Sequence, residues 1–408
     1  MRDGSGETEP AAVARLALFD DFSVREPSES LAESVRATAY HYDEATRSLY
    51  VLRANDVMDL LGDDRFWSAR PRDRRLDGMP AGQREIQEPL KRFFAQWPVF
   101  LEGELHDRVR KELTIAVRQI VTPELGRRLS ERIAELLDGL QGQRFDWITK
   151  FAWPMAALGI AVIVGVEPDD AQYLIDQAAA IIHELSTPLI DGDRAAPAKA
   201  AADRLERWLT DRRRDAASPL LTGLGRLWQE AGPGVATAAL TQMVTGAMDP
   251  IVSTLAVLAQ RATPEALCGT DPATLREEVI RLASPLRFTP RYARCPVTVG
   301  GYQLAATERV MLGLCTANLD PTRYQDPLAV RPRGRAISFS FGQGRHYCLG
   351  ATYARVLVDA VIAYLAQRHV VFRITETGRE PELTVLRFRK LIGHLERTRL
   401  THPADAPG

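Results

Sequence analysis

The chain has 408 residues, enough for one large domain or two smaller ones. Hydrophobic residues at 45% and charged residues at 26% are ordinary for a soluble globular protein with an ample core, and a formal net charge of −1 removes the basic field that nucleic acid or an anionic membrane would attract. Four widely spaced cysteines, Cys268, Cys295, Cys315 and Cys348, form neither a disulfide framework nor a C-x-x-C knuckle, which places the chain in a reducing cytoplasm.

From the N-terminus, residues 1–12 read as a polar, flexible tail, with no apolar run of the secretory kind. Ala69 to Arg75 is a basic loop, expected to be a solvated surface run. Helical periodicity then predicts helices over Leu125–Leu140, Pro168–Ile182, Ala200–Arg213, Val235–Arg261, Pro272–Ala283 and Ala351–Gln367. The longest apolar run, Met155 to Val166, is too short to span a bilayer and reads as a buried helix. Strand-like pieces gather at Arg294–Val310, with a turn at Gly300-Gly301, and at Val370–Phe388. Residues 401–408 form a second tail. A single, mainly helical domain with small β-sheets fits the whole of 1–408, and no internal repeat is present.

The segment Phe341-Gly342-Gln343-Gly344-Arg345-His346-Tyr347-Cys348-Leu349-Gly350 sets one cysteine in a glycine-rich loop just before a helix. An arbitrary cysteine is more often a structural thiol. Here glycines allow tight turns and a close approach to a flat ligand, and a helix N-terminus favours a thiolate. Glu278 and Arg281 share a helix face at i, i+3, and His106 and Arg110 share one at i, i+4. Taken singly, each of these residues would be read as a surface charge.

Together they resemble the cytochrome P450 family, specifically its soluble, ferredoxin-dependent bacterial members. The decapeptide looks like the family's haem-binding loop, and Glu278-Val279-Ile280-Arg281 its E-x-x-R motif. In that motif the third member would be Arg333, with Arg331 and Arg335 as possible substitutes. Ala317-Asn318-Leu319-Asp320-Pro321 is similar to the family's A-N-R-D-P segment, with leucine replacing arginine. The likeness extends from about Trp97 to Lys390. It implies the P450 fold, a helical domain with small β-sheets enclosing haem b, with iron held by the Cys348 thiolate. Phe341 and Gly350 would lie against the haem. His106, Arg110, Arg291 and His346 would be donors to its two propionates. It further implies electrons from a ferredoxin and its reductase, docked on the cysteine side near Arg331, Arg333, Arg335 and Arg345. No nucleic acid or membrane partner is expected.

The chain departs from the family over the haem. Where the family carries an acid followed by threonine to deliver protons to oxygen, this sequence has Asp249 and then Pro250; a one-residue shift would instead align Met248 and Asp249. Either way the acid–alcohol pair is broken. Proline inside a helix costs roughly 3 kcal/mol or more, so a kink is expected there. Ser253, Thr254, a water or the substrate would then manage protons, or the reaction would insert no oxygen. Pocket walls map by resemblance to Arg72–Phe100, Asp176–Asp193, Met243–Thr254, Ser284–Pro290 and the neighbourhood of Val385. Met243, Val244, Met248, Leu286, Phe288 and Phe388 would make a mainly apolar cavity. The expected activity is oxidation of a medium-sized hydrophobic or aromatic natural product in secondary metabolism. The oxidation would be hydroxylation or radical coupling, for example of aromatic or cyclic-dipeptide substrates. The alternative is a non-catalytic or peroxide-using protein of the same fold serving as a binding module.

Overall fold

A computed structural model describes residues 27–69, 81–185, 192–215, 218–333, 338–380, 382 and 384–398. Both expected tails, nearly all of the basic loop and Arg335 lie outside the described residues.

Helix α1 (Pro27–Ala37) leads into strands β1 (Tyr40–Asp43) and β2 (Ser48–Val51), then α2 (Ala54–Leu61) and the short β3 (Phe66–Trp67). A helical block follows: α3 (Ala81–Ala95), α4 (Gly103–Ile120) and α5 (Pro123–Asp138), then strand β4 (Arg144–Asp146) and α6 (Trp153–Val164). The block continues with α7 (Pro168–Leu185), α8 (Gly192–Arg212), α9 (Pro219–Ala231), α10 (Pro233–Arg261), α11 (Pro264–Gly269) and α12 (Pro272–Ala283). The last part holds β5 (Phe288–Ala293), β6 (Val297–Val299), β7 (Tyr302–Leu304), β8 (Arg309–Gly313), α13 (Leu314–Asn318), α14 (Ala351–Arg368), β9 (Val370–Arg379) and β10 (Phe388–Arg397).

Five strands form one sheet in the order β1-β2-β8-β5-β3, where only β2 and β8 run parallel. Strand β10 lies between β4 and β9 in a second sheet, and β6 pairs with β7 in a hairpin. That hairpin turns at Gly300 and Gly301 with φ of +56° and +86°. A Cβ on Gly300 would stand 2.6 Å from the Tyr40 ring, so both conformation and space demand glycine.

Helix α10 organises the rest. It is apolar nearly all round, which suits a helix packed on most of its sides. It would be long and apolar enough to cross a membrane, yet 61% of its most apolar stretch is buried inside the protein. Trp147, fully buried beside it, donates its indole N–H to the Leu255 carbonyl at 3.1 Å. Helix α6, the longest apolar run, packs against it, and the helical core continues into α12 and α14. Prolines sit inside α3, α8 and α10, at Pro89, Pro197 and Pro250. The helix containing Pro250 runs unbroken from Pro233 to Arg261.

Candidate active site

Ahead of α14 the chain doubles back on itself. The Gly342 amide donates to the Phe339 carbonyl (2.9 Å), the Tyr347 amide to Gly344 (3.1 Å) and the Cys348 amide to Phe341 (2.9 Å). Gly342 and Gly344 hold φ of +64° and +68°, a region that costs an L-residue roughly 1–2 kcal/mol. Gly350 caps α14, and a Cβ there would approach the Cys348 sulfur at 3.8 Å. The Cys348 side chain is accessible from one side, while protein encloses it on the others. Desolvation is therefore the largest influence on the thiol and raises its pKa. The Gly350 and Ala351 amides, with the guanidiniums of Arg110 and Arg355, pull the other way. A metal ion on the sulfur would settle that contest for the thiolate. Phe341 is half-buried and stacks beneath the Arg355 guanidinium, 4.8 Å from its ring centre.

Cations collect on the adjoining wall. The His106 and His346 rings lie 4.6 Å apart. Arg110 reaches from α4 to the Tyr347 carbonyl, and Arg345 pairs with Asp107 at 2.7 Å. Arg291 is only 5% exposed. Among the described residues its side chain donates only to its own strand, to the Thr289 hydroxyl at 3.3 Å and the Pro290 carbonyl at 2.9 Å. Burial pulls its pKa down to about 10. His346 is driven down to about 3, by burial first and then by Arg291, His106, Arg110 and Arg345. The mutual repulsion of these groups is the electrostatic signature of a site shaped for anions.

Below the loop, Glu278 and Arg281 form a buried bidentate pair, with Nε–Oε1 at 2.7 Å and Nη2–Oε2 at 2.8 Å. Arg333 supplies the third member, its Nε 2.8 Å from Glu278 Oε2. Arg331 contributes only its backbone amide to Glu278 at 3.2 Å and turns its side chain out to Asp326. Arg281 also donates to the carbonyls of Asn318 and Pro327, and Arg333 to that of Asp326. Asn318 donates to Ser284 and Ser340 and accepts from the Phe339 amide, the residue that begins the cysteine loop's turn. Asp320 accepts from the Ala54 amide at the start of α2. The triad thus works through backbone carbonyls, fixing the connection that leads into the loop.

On α10, Gly246 is exposed and Gln242, Met243, Ala247, Asp249 and Pro250 are half-buried, together marking one helical stripe. No atom outside the helix lies within 4 Å of where a Gly246 Cβ would stand. Pro250 has no N–H to offer the Gly246 carbonyl. Leu286, 41% exposed, also opens onto free space. Asp249 is bound to Arg387, whose Nε and Nη2 lie 2.9 and 2.8 Å from its Oδ2, and Arg387 also holds Glu382. Ser253 donates to the carbonyls of Asp249 and Leu386 and is buried, so its hydroxyl is committed to the helix and the neighbouring loop. Thr254 is half-buried one turn beyond Pro250.

The family model described as Cytochrome P450 matches residues 274–385, and Cytochrome P450-SU2 of Streptomyces griseolus is 30% identical over 88% of this chain and 89% of its own length. The chain belongs to the cytochrome P450 family. The biotin biosynthesis cytochrome P450 of Bacillus subtilis is 27% identical, over 78% of this chain and 82% of its own. Among solved structures, CalO2 superposes with a TM-score of 0.78 at 22% identity, covering 96% of this chain and all of CalO2. This P450 is therefore an enzyme with the P450 fold, and its family implies haem, a hydrophobic substrate and redox partners.

The residues fit a haem. A buried arginine with no carboxylate hydrogen-bonded to it among the described residues, and a histidine pressed by three arginines and a second histidine, suit two propionates. The accessible Cys348 thiol would hold the iron, and no atom outside α10 fills the space over Gly246. Several expected pocket residues lie elsewhere. Phe288 packs edge-on against Tyr50 (5.4 Å) in a separate core with Leu31, Val35 and Met311. Val244 and Met248 turn into the helical core, and Phe388 lies under Arg379 at 5.1 Å. Leu286 precedes β5, which begins at Phe288, so the two-residue alternation of a strand does not hold these side chains on one face. Arg387 had no local sequence signal, since its partner Asp249 is 138 residues away.

Proposed function

We propose that this P450 holds haem b, with Cys348 as the iron ligand and with His106, Arg110, Arg291 and His346 as donors to the propionates. It would take single electrons from a ferredoxin and its reductase in the cytoplasm and oxidise a medium-sized hydrophobic or aromatic natural product of secondary metabolism. The observation that carries this reading is the seat of Cys348, between the Phe341 carbonyl and the α14 amides and open on one side. When bound, haem supplies oxygen activation, to which a thiolate ligand contributes electron density. The protein's part is to keep Cys348 deprotonated, to clamp carboxylates with charge-assisted bonds, and to present apolar Met243 and Leu286 to the substrate. The test is the spectrum of the reduced protein under carbon monoxide. A red-shifted Soret band is expected, and its persistence in Cys348→Ser would refute the ligand assignment.

A second reading concerns the reaction type. Asp249 is held by Arg387. Whether the acid and alcohol positions fall on Asp249 and Pro250 or on Met248 and Asp249, the sequence lacks the usual acid–alcohol pair, which supports a reaction without that proton path. This favours oxidative coupling of aromatic rings over hydroxylation, with substrate groups moving their own protons. A structural neighbour, CxnD, described as forming a C–S bond in chuangxinmycin biosynthesis, superposes with a TM-score of 0.74 at 20% identity, covering 94% of this chain and 98% of its own. Incorporation of labelled oxygen gas into product, tightly coupled to electron use, would refute coupling. Failure to turn over any substrate with ferredoxin or peroxide would favour a binding module.

A further inference from the structure

Between the end of α10, the end of α12 and Arg287 lies a cavity of about 40 Å³. A single water needs roughly 10–15 Å³ on this measure, so the space suits about three water-sized atoms. Arginines line it: Arg261 at the end of α10, Arg287, Arg379 and one face of Arg281, with Ser284 and Cys315 between them. Among the described residues, no carboxylate lines it.

Two of these cations have little to balance them. Arg287 is 2% exposed; its Nη1 donates to the Glu382 carbonyl at 2.8 Å, and its Nη2 has no hydrogen-bond partner among the described residues. Glu382, the nearest acid acting on it, is already held by Arg387. Arg261 is pushed down by burial and then by two like charges, Arg281 and Arg379. Arg281 is saturated by Glu278 and three carbonyls. A buried guanidinium N–H without a partner costs more than an ordinary unmade bond, because the group is charged.

We propose that this cavity is a binding site for a small oxyanion, the size of phosphate or a carboxylate, held by Arg287 and Arg261. The site stands on the reverse of the pocket wall. Arg287 donates its amide to the Thr384 carbonyl at 2.8 Å, and Leu386 donates to Pro285 at 2.7 Å, so an anion there braces the segment that presents Leu286 to the substrate.

The test uses the haem-loaded full chain in chloride buffer, with phosphate or acetate added at constant ionic strength. The melting temperature should rise saturably, by at least about 2 °C, and the oxyanion that does this identifies the size of the natural occupant. Arg287→Met should abolish the rise and Arg261→Gln should weaken the apparent affinity at least fivefold, both with an unchanged carbonyl Soret band. If Arg287→Met does not fold, Arg261→Gln decides alone. A response no larger than that to chloride, or the same response in every variant that folds, would show that the cavity holds only water.

Discussion

Arg387 holds two acids at once, Asp249 on the long helix and Glu382 on the loop before β10. Removing it strands both. Arg387→Met is expected to cost about 1–3 kcal/mol, the usual penalty for unpairing charged hydrogen-bonding groups, read from thermal unfolding. The pH dependence has a definite sign. Burial raises the Glu382 carboxyl pKa, with Arg387 opposing it. Stability from such a group is present below the ordinary carboxylate range and is lost as pH rises through the raised value. Without Arg387 that loss deepens, so the variant should fall further behind the parent at pH 7 than at pH 4. Equal penalties at both pH values would show that Arg387 does not govern Glu382. Sequence alone singled out Cys348, His106, Arg110, Arg291 and His346 as candidates, because each sits in a motif of fixed spacing. Arg387 and Arg287 lie outside any motif, and their partners are brought to them only by the folded chain.

The long helix α10 is where an element-scale rule is broken. Pro250 leaves the Gly246 carbonyl without its helical donor, and Gly246 faces open space. Pro250→Ala restores the donor and should stabilise the protein by up to about 3 kcal/mol. Destabilisation instead would show that the proline ring is packed and the helix shaped around it. The same variant should alter product distribution if the freed carbonyl serves the substrate. Helices were legible in the sequence because apolar residues recur every three or four positions, and Pro272–Ala283 matches its predicted bounds. The small strands were less so. Strand β2 is buried at every position and so shows no alternation, and charged residues along β10 mask its pairing. The reach of the C-terminal sheet therefore stops at Phe388 on the sequence, although it continues to Arg397.

At the scale of the molecule, the Glu278–Arg281–Arg333 triad joins α12, the stretch around Asn318 and the connection to the cysteine loop. Desolvation alone would raise the Glu278 carboxyl, but bonds from Arg281 and Arg333 outweigh it and hold the pKa low. A lowered carboxyl contributes stability above its ordinary pKa, and that contribution fades as pH falls through the folded value. Glu278→Gln should therefore cost about 3–5 kcal/mol at pH 7, the range for breaking a buried ion pair, and the gap should narrow below about pH 4. A gap independent of pH would mean packing, not charge, holds the triad. One further consequence concerns synthesis. Arg110 clasps the Tyr347 carbonyl across 237 residues of chain, which takes on the order of 10–50 s to make at usual elongation speeds. Through that interval the first half of the cation cluster is finished while its cysteine does not yet exist. With Cys348 as the proposed iron ligand, haem capture has to wait until residue 348 is made, and cells starved of haem should accumulate a full-length, protease-sensitive chain, not a truncated one.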